Sequence, residues 1–323
     1  MSQMPKYPCD PEKAVSRVRW FILPVLVMGS CSTAAAQAPM VPENQTAKIA
    51  ENVYVIPDRR VNLVPNIGII VGDKGILVVD TGMGPRNAET VLREVRRISN
   101  KKILFLTMTH FHPEHGMGAQ AFPEGTTIVV PKAQKAELLE KGSAYIKMFS
   151  GFSSGIADLL ENVKLVSPQL AFEREVEIDL GGKLVRLLYF GPAHTRGDNF
   201  IFLPQERILF GGDVVLNRFF PIMPDADSSG TGWIRTLKKL EALAPAKVIP
   251  GHGEVGDINL IRGMKDFLVS LKSRVGQLKA AGKNLQEIEG IAIPEFHEKY
   301  KKWDNPEWLK NAVDKFHSEL TTP

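Results

Sequence analysis

Thr109-His110-Phe111-His112-Pro113-Glu114-His115-Gly116 places three of the chain's seven histidines within six positions, directly after the apolar run Ile103 to Leu106. If that run is a buried strand, His110 and His112 stand two apart at its end and project to the same side of an extended backbone. Pro113 then forces a turn, so Glu114 and His115 point back from the start of a following helix. Imidazoles crowded in this way need a cation, because without one they leave buried donors and acceptors unpaired. Two more histidines sit in short loop-like segments, His194 within Gly191 to Asn199 and His252 within Pro250-Gly251-His252-Gly253. Asp213 ends Leu209-Phe210-Gly211-Gly212-Asp213, where the paired glycines let the backbone approach a crowded centre, and it is read as a ligand. Asp80 ends the apolar run Ile76 to Val79 before Thr81-Gly82; it is read as a cap or a support behind a ligand, not as a ligand itself. His297 and His317 are assigned to the surface of C-terminal helices.

Outward from this stretch, strand and helix signals alternate. Val53 to Ile56 reads as a strand, and Asn66 to Val71 pairs with Ile76 to Asp80 through Gly72-Asp73-Lys74-Gly75 as a hairpin. Asn87 to Ser99 has helical spacing in Val91, Leu92, Val95 and Ile98. Thr127 to Val130 predicts a strand, and Pro131 opens a helix over Ala133 to Leu139. Residues 142–162 read as irregular. Leu184 to Phe190, Asn199 to Leu203, Ile208 to Phe210 and Lys247 to Ile249 predict strands; Gly232 to Leu243 and Asp257 to Ala280 predict helices. The expected architecture is one α/β domain over 39–281, with two sheets each made mostly of hairpins and helices outside. A C-terminal helical extension follows over 282–323.

Composition narrows the chemistry. With 323 residues, 44% of them hydrophobic and 24% charged, the chain can fill a core and is not disordered. Its two cysteines, Cys9 and Cys31, fall in a leader-like segment: Lys13, Arg17 and Arg19, then the nine apolar residues Trp20 to Met28, then Ala36-Gln37-Ala38. This predicts a signal peptide over 1–38 and an exported, periplasmic protein, with lipid attachment at Cys31 as the alternative. The apolar stretch is too short for a permanent anchor, so no integral membrane segment is expected in the mature chain. Losing Lys6, Lys13, Arg17, Arg19, Asp10 and Glu12 would take the formal charge from +4 to +2, which gives no reason to expect nucleic acid as a partner. A mature chain without cysteine has no thiolate ligand or nucleophile.

The ordered set Val78-Val79-Asp80-Thr81-Gly82, Thr109 to His115, Gly191 to Asn199, Gly211-Gly212-Asp213 and Gly251-His252-Gly253 resembles the metallo-β-lactamase-fold hydrolases, from about Ala47 to Ile261. The resemblance implies an αββα sandwich of two mixed sheets with metals at one edge. It implies His110, His112 and His194 as ligands of a first metal. Glu114, His115 and His252 match a second site, with Asp213 as the bridging carboxylate. The family usually has Asp where Glu114 stands. A shifted two-metal site, a weakened second metal, or a free carboxylate acting as base are the three outcomes; a two-metal site of reduced second affinity is the expectation.

The resemblance further implies a hydrolase in which two divalent ions activate water against an ester, lactone or thioester carbonyl, with Glu114 and Asp213 as its catalytic carboxylates. Ligands of nitrogen and oxygen only favour zinc, with manganese or iron as alternatives. The substrate is a small molecule. Residues 142–162 and Arg218-Phe219-Phe220-Pro221 are candidates for walling an apolar pocket. Other readings are β-lactam hydrolysis at the same site, a mononuclear iron oxidoreductase resembling persulfide dioxygenases, and a non-catalytic metal-binding protein.

Overall fold

The computed structural model describes residues 38–320. The expected signal peptide, apart from Ala38, and both cysteines lie outside the described residues.

The first sheet begins as a meander. Strands β1 (Ala47–Ala50), β2 (Val53–Ile56), β3 (Ile67–Val71) and β4 (Ile76–Val79) pair antiparallel in sequence order, the last two joined by the predicted hairpin. Helix α1 (Gly84–Ile98) then crosses over to β5 (Ile103–Thr107), which pairs parallel to β4. The one-turn α2 (Pro113–Gly116) precedes β6 (Thr127–Pro131), and α3 (Lys132–Ser150) with α4 (Ser154–Leu160) leads to β7 (Leu170–Phe172); both strands continue the parallel half. Hairpins therefore account for only half of this sheet, because α1 and α3 supply crossovers that parallel pairing requires.

Residues 142–162 are not irregular: α3 runs about three turns past its expected end and α4 follows at once, its start capped by Ser153 accepting from the Ile156 N–H. Gly142 hides the signal, since it sits inside α3 where a Cβ would lie 3.0 Å from the Leu165 side chain.

The second sheet has the order β12-β11-β10-β9-β8. Its strands β8 (Glu175–Asp179), β9 (Leu184–Leu188), β10 (Phe200–Leu203) and β11 (Ile208–Phe210) are antiparallel. Helix α5 (Gly230–Ala242) crosses to β12 (Lys247–Ile249), parallel to β11. Helices α6 (Ile258–Ala280), α7 (Leu285–Lys299) and α8 (Leu309–Glu319) end the chain.

The two sheets bury their facing sides against each other, Val53, Ile70, Leu77 and Val79 meeting Val185, Leu187, Ile201 and Phe210. Gly68 on β3 makes room for the Phe210 ring: a Cβ there would lie 2.5 Å from it. The outer face of the first sheet is covered by α1 through Val91 and Val95. The outer face of the second is covered by α5 and α6, with Phe296 of α7 and Phe316 of α8 in the same apolar cluster. The result is the α/β sandwich, helix–sheet–sheet–helix, with two mixed sheets. No helix among the described residues is long and apolar enough to cross a membrane.

Candidate metal centre

All the predicted ligands meet at one edge of the sandwich, at the C-terminal ends of strands from both sheets. Strand β4 delivers Asp80, and β5 delivers His110 and His112 just before α2, which holds Glu114 and His115. From the other sheet, His194 comes from the β9–β10 loop, Asp213 from a 3-10 turn after β11, and His252 from the turn after β12.

Ring and carboxylate atoms form two adjoining groups, His110–His112–His194 and Glu114–His115–Asp213–His252, each with ligand atoms within 4.8 Å of one another. Every one of these residues is buried. Glu114 reaches its group despite the extra methylene.

Hydrogen bonds behind the rings decide which nitrogens face inward. His194 Nδ1 donates to the Ile222 carbonyl (2.9 Å), leaving Nε2 facing His112 Nδ1 at 3.2 Å. His252 Nδ1 donates to the Val64 carbonyl (2.9 Å) and presents Nε2 to Asp213 Oδ1 at 3.6 Å. His115 Nδ1 contacts Asp80 Oδ2 at 2.9 Å and turns Nε2 to Asp213 Oδ1 at 3.4 Å. The second oxygen of Asp213 faces the other group, 3.9 Å from His194 Nε2. Asp213 thus spans both groups.

Asp80 is held for its supporting task. Its backbone sits at φ 66°, in the left-handed region, and its carboxylate accepts from Thr109 N–H (2.7 Å) and Thr109 Oγ1 (2.9 Å).

The electrostatics point the same way. Burial, reinforced by the neighbouring imidazoles, pushes His110 and His112 well below the ordinary histidine range, so both stay neutral. Burial lowers His194 too. Burial would lower His115 as well, but Asp80 and Asp213 outweigh it and raise the group to about 9. Burial would raise Asp213, yet His252, His115 and His194 hold it low. Burial pushes the Glu114 carboxyl up to about 7, with His115 opposing and Asp213 adding to the shift.

The donor set fits divalent cations. His110 Nε2, His115 Nε2, Glu114 Oε2 and Asp213 Oδ1 are buried without a hydrogen-bond partner. Buried imidazole nitrogens and carboxylate oxygens crowded together without hydrogen-bond partners are an arrangement that divalent cations satisfy.

Several residues around the centre were not anticipated. The Tyr145 ring of α3 stacks on His112 (centroids 4.8 Å, planes 16° apart), and its hydroxyl donates to Asp225 (2.8 Å). Lys141 Nζ lies among Asp227, Asp225 and Glu137 at 2.6, 3.0 and 3.3 Å, so an ammonium already serves this third acidic group. Of the expected pocket walls, Phe219 does flank the centre, its ring 6.0 Å from that of His252. Phe220 does not: it is fully buried against Phe267 and Trp303. His297 is exposed on α7 and His317 half-buried on α8, both away from the cluster.

Comparison with known proteins agrees with this geometry. The metallo-beta-lactamase superfamily family model matches residues 61–252. A linear primary-alkylsulfatase of Pseudomonas sp. is 27% identical over 219 residues, 58% of this chain and 41% of that protein. A type 2 metallo-beta-lactamase of Bacteroides fragilis is 32% identical over 114 residues, 34% of this chain and 46% of that protein. The matches thus span less than half the length of these two relatives. Among solved structures, a sec-alkylsulfatase from Pseudomonas sp. superposes with a TM-score of 0.67 at 17% identity, covering 85% of this chain and 50% of that one. That likeness bears on the fold.

Proposed function

The chain belongs to the metallo-beta-lactamase superfamily; we propose that it is an exported hydrolase with two divalent ions, zinc by ligand type, that cleaves an ester, lactone or thioester. The observation that carries this reading is Asp213, whose two oxygens face two separate histidine groups. One oxygen per group suits a bridging carboxylate, and Glu114, His115 and His252 complete a second ligand set that a one-metal enzyme would leave without a task.

Bound at these groups, divalent ions supply the electrophilic pull that activates water and polarises the scissile bond. The protein's own residues do the rest. The Ile222 and Val64 carbonyls fix His194 and His252 with Nε2 inward, so the ligands are set before substrate arrives. Glu114, held loosely in the second group, is placed to orient the attacking water and accept its proton. Phe219 beside His252 and Tyr145 beside His112 give the centre apolar flanks that limit access of bulk water.

A second reading, sulfate-ester hydrolysis, is favoured by the sequence likeness to the linear primary-alkylsulfatase. The export assignment rests on the basic and apolar run before Ala38.

The test is a hydrolysis screen of the metal-loaded protein over carboxylic esters, lactones, thioesters, sulfate esters and β-lactams, with His112→Ala as the blank. Turnover confined to β-lactams would overturn the substrate reading, and turnover that survives His112→Ala would overturn the metal mechanism. Cell fractionation tests export: recovery in the cytoplasmic fraction alone would refute it.

A further inference from the structure

The loop between β2 and β3 holds a residue that the chemistry above leaves unused. Arg59 and Arg60 have φ of 53° and 56°, a left-handed conformation that side-chain-bearing residues adopt at a cost. The turn sets the Arg60 guanidinium among four acceptors. Nη1 donates to Glu254 Oε2 (2.8 Å) and the Asn217 carbonyl (3.3 Å); Nη2 donates to Asp304 Oδ2 (2.6 Å) and the Arg218 carbonyl (3.3 Å). The guanidinium also covers the Phe219 ring, its Cζ 4.6 Å from the centroid.

These partners surround His252. Phe219 also neighbours the His252 ring, and Asn217 N–H donates to the His252 carbonyl (3.0 Å). Glu254 lies two residues on, its carbonyl accepting from Asn217 Nδ2 (2.9 Å). Asp304 lies between α7 and α8, and its backbone clasps the same strip of chain, donating to the Arg218 carbonyl (2.9 Å) and accepting from Phe220 N–H (3.0 Å). Glu254 and Asp304 are about half exposed, at 52% and 50%, and ion pairs that open to water add little to stability. A strained turn kept for such weak pairs points to placement of the groups it gathers.

We propose that Arg60 is a positioning residue for His252, holding the imidazole toward Asp213, and that the C-terminal segment acts on the metal centre through the Asp304 carboxylate on this guanidinium. The inference rests on the reading of His252 as a ligand. Only an arginine can serve all four acceptors at once, because its planar fork presents separate N–H groups where lysine offers a single point.

The test uses the full chain and the variants Arg60→Met, Arg60→Lys and Asp304→Asn. Imidazole nitrogen–proton correlation spectra report each ring, and Zn2+ titration against a chromophoric chelator reports each ion's affinity. The expected result is that the His252 ring signals shift in all three variants, while those of His110 and His112 stay in place. The second ion's affinity falls about tenfold and the first ion's is unchanged. Arg60→Lys fails to restore it. His252 signals that coincide with wild type in every variant overturn the proposal, as do site histidines that all move together in Asp304→Asn. If Arg60→Met does not fold, Asp304→Asn decides. If wild type takes a single ion, the two-metal reading fails, and the His252 signals alone still decide the role of Arg60.

Discussion

Asp80 Oδ2 lies 2.9 Å from His115 Nδ1, and this contact selects the nitrogen of His115 that faces Asp213. Asp80→Asn tolerates the left-handed backbone but removes the charge. The second ion should then bind 10- to 100-fold more weakly, on the order of effects seen when a partner behind a metal ligand is lost. The first ion should be unaffected. Competition titration with a chelator measures both, and an equal loss at the two ions would disprove the assignment.

Metal analysis at saturation should approach two divalent ions per chain, the second released first on dialysis. Glu114→Gln, which keeps shape and removes charge, should lower the second ion's affinity and cut turnover at least 100-fold. A stoichiometry fixed at one ion would sink the two-metal reading.

Acid acts on the metal-free protein through its buried imidazoles. His110, His112 and His194 have folded-state pKa values below the unfolded value of about 6.5. Below that pH the unfolded chain binds more protons than the folded one, so the stability these groups contribute is present above about 6.5 and is lost as pH falls. His115 has the opposite sign: raised to about 9, its contribution is present below about 6.5 and is lost as pH rises through about 9. Glu114, raised to about 7, shares the sign of His115 between pH 7 and pH 5, so the lowered histidines are read by difference: from pH 7 to pH 5, His112→Gln should lose less melting temperature than wild type. Circular dichroism melts of the two metal-free proteins check it; equal changes would contradict the neutral assignment of His112.

Gly251→Ala should abolish metal binding. A Cβ there would lie 2.0 Å from Asp213 Oδ1 and 2.9 Å from the Asp213 backbone nitrogen, so the bridging carboxylate must leave its place. Loss of both ions with far-ultraviolet dichroism retained is the expected pattern. Full metal content in this variant would show that Asp213 is not a ligand.

Tyr145→Phe keeps the stack on His112 and removes the hydroxyl bond to Asp225. It should cost about 1 kcal/mol of stability, the usual worth of one hydrogen bond, with metal content unchanged. Urea denaturation followed by tryptophan fluorescence measures the difference.

What could be read from sequence follows how local each signal is. The β3–β4 hairpin, α1 and the His110–His115 turn are written in adjacent residues, and all stand where expected. The short edge strands β1 and β7 and the charged β8 lack an apolar run and depend on their neighbours for pairing, so nothing marked them. The helical stretch over 142–162 was obscured by Gly142, whose poor helix propensity is overridden by packing, and by Gly151, which ends α3. Tyr145, Lys141 and Arg60 each reach an acidic partner 80 to 244 positions away, beyond the range of any periodicity. The doubt over Glu114 came from side-chain length alone; the backbone of α2 places it within reach.

His110 and His115 come from one sheet and Asp213 and His252 from the other. Ion capture therefore doubles as a gauge of docking: a chain with either half loosened has no complete pair of ligand sets. Chelators should accelerate unfolding of the loaded protein, and added zinc should rescue damaging substitutions far from the centre, wherever those act by easing the two layers apart.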